Sequence, residues 1–291
     1  MGQGVFEFLL KSIPHHCPFF LTEQIGICKR LLDLFIVSVL LDAGAGDDWS
    51  YTWTGSEEKK TQFGRSEGLA LASLDWFLSG GLSSDSNQLE QVDGERLKSL
   101  TCQDLEVAFQ VNSNNPLVGV QGRCNLLNRL GHVISSGSGS AKYFTSSSPT
   151  SFRPGNLVHY LLAHVQIVNS QKIISIEFLW EVIMEGLSGV WPDTRTKLSS
   201  HGPSLGDVWP CQALTQIHAK LRKSNPKIPS TPLTYPPSLY TTCDPIMVND
   251  PLDLAPNSDH LLAFHKLSQW LTYSLSEPLA LLDFKFTHTH L

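Results

Sequence analysis

The sequence predicts a mostly α protein: a single multi-helix globular domain with long irregular Ser/Gly-rich and Pro-rich loops. Three observations predict it. Apolar residues recur at three- and four-residue spacing in successive windows, start and stop signals bracket those windows, and alternating strand-like patterns are sparse.

Taken in order, residues 34–41 form an apolar run flanked by Lys29, Arg30 and Asp33 on one side and Asp42 on the other. At about half the length needed to cross a bilayer, the run suits a buried helix better than a membrane span. Ser66 is placed to cap a helix whose Leu69, Ala72, Ser73, Trp76 and Phe77 share a face, with Gly80-Gly81 as its stop. Thr101 and Asp104 have the spacing of a capping box ahead of Leu105, Ala108 and Phe109. Residues 124–130 read as a helix closing at Gly131, and residues 156–168 and 174–190 as helices with wide apolar faces. Residues 206–221 are a further candidate, with Pro210 in the first turn. Residues 259–275 give the clearest helical pattern, capped by Asp259 and ended before Pro278. The β-branched stretches at 35–39 and 173–176 fit the helical windows around them.

Two segments read as irregular. Residues 135–151 are rich in serine and glycine, the composition of a flexible loop. Residues 225–257 carry eight of the seventeen prolines and few periodic apolar positions, which suits a long excursion within one domain.

Composition narrows the function classes. With 291 residues, 41% of them hydrophobic, and seven tryptophans, the chain can bury a substantial core. A net charge of -6 argues against a general nucleic-acid binder, which would be basic. The six cysteines, at 17, 28, 102, 124, 211 and 243, show no paired spacing. Scattered thiols, with no secretory leader, point to the cytoplasm. Walker and GxGxxG phosphate loops are absent, and His159 and His164 are five apart, the wrong spacing for a helical metal pair. Neither a metal nor another cofactor is therefore expected.

The candidate site residues fall in five blocks. In the first, the apolar run ends in Asp42, followed by Gly44, Gly46, Asp47, Asp48 and Trp49. One reading is a glycine-capped helix end with acids solvating the turn. The other keeps Asp42 partly desolvated, able to act as an acid, a base or a hydroxyl-binding group. Arg65-Ser-Glu67 forms the second block, either an ordinary helix start or an anion clamp beside free backbone N–H groups. Third and fourth are Asn115 with Arg123, and Arg153 with Asn156, again arginine and asparagine on tight turns leading into helices. The fifth combines Asp207 and Trp209 with His265 and Gln269, the last two on one helical stripe. A core helix explains that stripe equally well.

The blocks VSVLLDAGAGDDWSY, GRSEGLALASLDWF, FQVNSNNPLVGVQGR, RPGNLV, LGDVW and FHKLSQWLTYSLSEPL occur in the order found in the uracil catabolism protein 4 family of fungi and many bacteria. The chain resembles that family over about residues 32–279, so residues 31–279 are read as its helical domain. The resemblance implies a role in degrading uracil through a ribosylated, ring-opened urea intermediate. On that basis the small-molecule substrate is a ribosylated urea or a nucleotide-derived compound, and the reaction an N-glycosidase-type hydrolysis of phosphoribosyl-urea. Asp42 and Glu67 are then the expected catalytic carboxylates. Arg65, Arg123 and Arg153 would grip the phosphate, and Asp47, Asp48, Trp49, Asn115, Asn156, Asp207, Trp209, His265 and Gln269 would bind the rest. The alternatives are a non-catalytic metabolite-binding or scaffold protein of the same pathway, and an inactive truncated member. Residues 1–30 and 280–291 depart from the family pattern, as a shortened gene product would.

Overall fold

The structure is a computed structural model that describes residues 21–54, 60–136, 141–144, 152–191, 208–211, 213, 216–217, 220, 223–224, 261–263 and 265–289. Helix predominates among the described residues. The chain forms two compact units, residues 1–190 with 267–291 and residues 191–266.

The first unit is organised around α1 (Leu21–Leu41). From Leu31 to Leu41 every side chain is buried, Asp33 and Ser38 included. A helix that is apolar all round belongs in a core, and α1 takes that place. None of the described helices is long and apolar enough to cross a membrane. Beyond α1 comes the antiparallel hairpin of β1 (Ser50–Thr54) and β2 (Lys60–Gly64), with Tyr51 opposite Phe63. Then α2 (Arg65–Leu78) packs against α1 and buries Leu69, Ala72, Trp76 and Phe77. Its N-cap is Gly64 rather than Ser66, which lies inside the first turn.

Two short helices follow. Asp93 caps α3 (Gly94–Ser99) by accepting from the Arg96 N–H. In α4 (Cys102–Ala108) the expected capping box forms in both directions between Thr101 and Asp104. The next helix, α5 (Val120–Ser135), begins earlier than expected and runs straight through Gly131. This glycine does not stop the helix; it lets α3 approach. A Cβ there would lie 2.7 Å from the Lys98 nitrogen and 2.8 Å from the Leu97 Cβ.

Several sequence expectations are corrected in this unit. Within the stretch read as a loop, residues 141–144 form α6 (Ala141–Phe144), with Tyr143 and Phe144 buried. A 3-10 turn (Pro154–Asn156) leads into α7 (Leu157–Ala163), and the expected long helix gives way to β3 (Gln166–Val168). Asn169 and Ser170 both have positive φ (50° and 62°), the two-residue hairpin geometry that returns the chain as β4 (Gln171–Ser175). Residues 173–175 are therefore strand, and the helical window shrinks to α8 (Ile176–Glu181), a π-helical turn (Val182–Gly186) and a 3-10 turn (Ser188–Val190).

Residues 208–210, read as helix from sequence, form β5 (Val208–Pro210), which pairs antiparallel with β6 (Leu261–Ala263) in the second unit. That pairing shortens the clearest helical pattern to α9 (Lys266–Leu279), which contains Pro278 instead of ending before it. After a 3-10 turn (Ala280–Leu282), β7 (Phe284–Thr287) lies parallel to β4 and completes the sheet β3-β4-β7. The Pro-rich stretch 225–257 and residues 1–20 lie outside the described residues.

Candidate functional site

The loop that leaves α1 is fastened from beneath by Arg123. Although this side chain is buried, its Nε donates to the Leu41 carbonyl at 3.1 Å. Nη1 donates to the Val118 carbonyl and Nη2 to that of Ala43, with the Gly44 carbonyl at 3.4 Å. The guanidinium thus supplies donors and positive charge at the C-terminal end of the helix and to the carbonyls of the loop that follows. Burial lowers the Arg123 pKa, while the nearby Asp42 charge raises it. Further along, Val118 donates its N–H to the Ala45 carbonyl, and Gly46 turns with φ +88°, where a Cβ would lie 2.8 Å from the Val118 Cγ2.

Trp49 anchors the far end of the loop. It is buried, donates from Nε1 to the Phe109 carbonyl at 3.0 Å, and packs on the Phe109 ring at 6.2 Å. Asn115 ties down the start of β1: its Oδ1 accepts from the Ser50 N–H at 2.9 Å, while Nδ2 donates to the Ser50 and Gln110 carbonyls. Trp49 and Asn115 are therefore engaged by the protein itself.

What the pinned loop presents outward is acidic. Asp42 is half-buried at the end of α1, and Asp47 and Asp48 are exposed. Arg65, the first residue of α2, places Nη2 at 3.7 Å from Asp47 Oδ1, both side chains being largely in solvent. Such an exposed pair contributes little to stability, which leaves Arg65 available to an anion. Its φ of +51° is uncommon for a side-chain-bearing residue. The N-cap Gly64 offers no side-chain acceptor, so the first-turn N–H groups of α2 lack a side-chain cap. Glu67 stands exposed in that same turn.

Arg153 lies elsewhere. It is buried against Asp33, whose Oδ2 accepts from Nε at 2.8 Å and also from Nη2, while Nη1 donates to Gln91 at 3.0 Å. Gly155 and Val92 give their N–H groups to the same carboxylate. Burial pushes the Asp33 carboxyl up, opposed by the Arg153 guanidinium and these N–H groups. Asp33 precedes Leu41 by eight helical residues, roughly 12 Å of rise. Asn156 is wholly buried and donates from Nδ2 to the Phe144 carbonyl.

The structure therefore brings Asp42, Asp47, Asp48, Arg65 and Glu67 to one loop and the helix start beside it, with Arg123 underneath. It does not bring the three arginines together. Asp207 lies outside the described residues, and Trp209 is placed only by its backbone in β5. His265, with φ +50°, belongs to the second unit, while Gln269 is half-buried on α9 in the first.

One polar cluster was missed by sequence reasoning. The Tyr143 hydroxyl lies 2.8 Å from Glu181 Oε1 and 2.7 Å from Glu185 Oε2. Lys142 Nζ bridges the same carboxylates at 3.0 and 3.5 Å. Burial and both glutamates push the Tyr143 hydroxyl up, whereas bonds from Lys142, Tyr143 and Tyr160 outweigh burial and hold Glu181 low. The four-residue spacing of the glutamates was visible, but their partners stood in a stretch read as a loop. Among the described residues, no group of three or more His, Cys, Asp or Glu could hold a metal ion.

Comparison with known proteins places the molecule in context. Residues 9–291 match the family described as "Protein of unknown function (DUF1688)". The chain is 35% identical over 269 residues to uracil catabolism protein 4 of Lachancea kluyveri, covering 91% of this chain and 50% of that protein. It is 34% identical over 256 residues to protein urg3 of Schizosaccharomyces pombe, covering 88% and 47%. The chain thus spans about half the length of the curated relatives it matches. No solved structure matches.

Proposed function

We propose, from the premise that this chain belongs to the DUF1688 family together with uracil catabolism protein 4, that it acts in uracil catabolism. More narrowly, we read it as a hydrolase of N-glycosidase type whose small-molecule substrate is a phosphoribosyl-urea. The observation that carries this reading is the uncapped first turn of α2, with Arg65 at its start and the acidic loop beside it. First-turn N–H groups without a side-chain cap, a helix dipole and a guanidinium favour a phosphate together. Asp42 and Glu67 supply carboxylates for the sugar end.

Hydrolysis breaks the bond between the anomeric carbon and the urea nitrogen and forms a carbon–oxygen bond to water. The urea nitrogen gains one proton, and a carboxylate accepts one from the attacking water. A carboxylate near the ring also stabilises the oxocarbenium-like charge of the transition state. This chemistry needs no cofactor. The scattered thiols are in keeping with a cytoplasmic enzyme.

The test is direct. Purified protein, this chain and a full-length relative in parallel, is incubated with ribosylurea 5-phosphate and free urea is measured. Release above background in both is expected; no release from either would sink the hydrolase reading. A second reading, a metabolite-binding protein without turnover, is favoured by one observation: Arg123 and Arg153 direct their donors inward, leaving Arg65, of the three arginines, as the one that faces solvent beside the acidic loop. Saturable binding of the phosphate ester without urea release would select it.

A further inference from the structure

An open cleft of about 570 Å³ lies over the junction of β1, α2 and α4, lined chiefly by Tyr51, Asp75, Trp76, Thr101, Asp104 and Val107. None of the loop residues 42–49 lines it. Trp76 packs edge-on against Phe109 at 6.0 Å and gives the cleft a buried aromatic wall, with Val107 standing 74% exposed at its lip.

The two carboxylates here differ. Asp104 is matched: it accepts from the Thr101 N–H and hydroxyl at 2.8 Å each and pairs with Arg96 at 3.3 Å. Asp75 is not. It accepts from the Tyr51 hydroxyl at 2.7 Å, yet among the described residues no basic side chain pairs with it. A half-buried carboxylate with one neutral donor leaves negative charge facing the cleft and unused acceptor positions on its oxygens. Among the described residues no lysine, arginine or histidine lines the cleft, and Arg96 beside it is taken up by Asp104 and the Gly81 carbonyl. That combination repels phosphates and carboxylates and attracts N–H donors with positive charge.

We infer that this cleft is a small-molecule site for an organic cation of the amine or guanidine class, seated on Asp75 with its carbon chain against Trp76 and Val107. Apolar walls with a few convergent polar groups are the usual composition of such sites. Asp75 supplies the charge-assisted bond, and Tyr51 fixes the orientation of the carboxylate. The inference stands on the cleft alone and does not depend on the phosphoribosyl-urea reading, whose carboxylates lie on a different loop.

Agmatine is a suitable probe, titrated calorimetrically into the intact chain, with 4-guanidinobutyrate as a comparison of equal shape and opposite terminal charge. Saturable binding of agmatine is expected, tighter than that of 4-guanidinobutyrate. Asp75→Asn should weaken it tenfold or more. Val107→Arg, a change at an exposed position that leaves the core alone, should weaken it threefold or more by placing a competing cation at the lip. The absence of saturable agmatine binding would overturn the inference, as would affinity within threefold of wild type in folded Asp75→Asn. Should Asp75→Asn fail to fold, Val107→Arg decides on the same threefold criterion.

Discussion

Arg153 donates two hydrogen bonds to a single oxygen of Asp33, joining positions 120 residues apart in sequence inside the core of the first unit. The carboxylate is wholly buried, and two backbone N–H groups complete its shell. A buried pair of this kind penalises the loss of either partner far more than the loss of both. Arg153→Met should therefore cost about 3–5 kcal/mol, read from the urea unfolding midpoint, because it strands a buried charge. Asp33→Leu combined with Arg153→Met should cost less than the two single changes added together. A single variant within about 1 kcal/mol of wild type would show that the pair is not closed in solution.

Arg123 predicts a local effect. Arg123→Gln removes the guanidinium donors from the Ala43 and Val118 carbonyls and leaves that of Leu41 with the Ala43 N–H, at the end of α1. A loss of about 1–3 kcal/mol is expected. Limited proteolysis should also cut faster within residues 42–49, and an unchanged cleavage rate there would show that the loop is held by something else.

Asp42 separates chemistry from architecture. It is half-buried, and among the described residues no hydrogen bond holds its side chain, so Asp42→Asn should shift stability by less than about 0.5 kcal/mol. If the proposed hydrolysis holds, urea release should fall by about 10²–10⁴-fold with binding of the phosphate ester retained. Full turnover by the variant would move the catalytic role to Glu67.

Acid sensitivity follows from the capping box of α4. Burial alone would raise the Asp104 carboxyl, but the Thr101 N–H and hydroxyl and the Arg96 charge outweigh it and hold the group below its usual value. A depressed folded value means that the unfolded chain binds more protons, so the stabilisation is present above the unfolded value of about 3.9 and is lost as pH falls through the folded one. Thr101→Ala should cost about 1 kcal/mol near neutrality. It should also flatten the acid limb, measured as Tm at pH 6, 4 and 3. Parallel curves for variant and wild type would contradict the assignment.

What the sequence made legible was mostly local. Thr101 and Asp104 are three residues apart and satisfy each other, so their pattern and their structure agree. Gly131 looked like a stop because a glycine usually is one; its real cause, the approach of Leu97 and Lys98, is a tertiary contact that no window contains. The β-branched stretch at 173–176 and the strand at 166–168 both fit helical windows, because Asn169-Ser170 between them is a weak turn signal beside Asn-Gly. Arginines posed a different difficulty. An arginine beside a turn is visible, but whether its guanidinium faces a ligand, as Arg65 could, or an internal carbonyl, as Arg123 does, depends on packing assembled from distant segments. The glutamates of the Tyr143 cluster were in plain view, and only the fold could supply their partner.

The parallel pairing of β4 with β7 also bears on how the molecule is made. Lys172 Nζ donates to the Leu282 carbonyl, 110 residues further on, and Phe284–Thr287 covers an edge that β4 would otherwise leave open. On a ribosome that adds about 5–20 residues per second, that edge waits several seconds for its covering strand. Throughout that interval the hairpin of β3 and β4 carries one open edge, along Gln171–Ser175, on which another strand could pair in error.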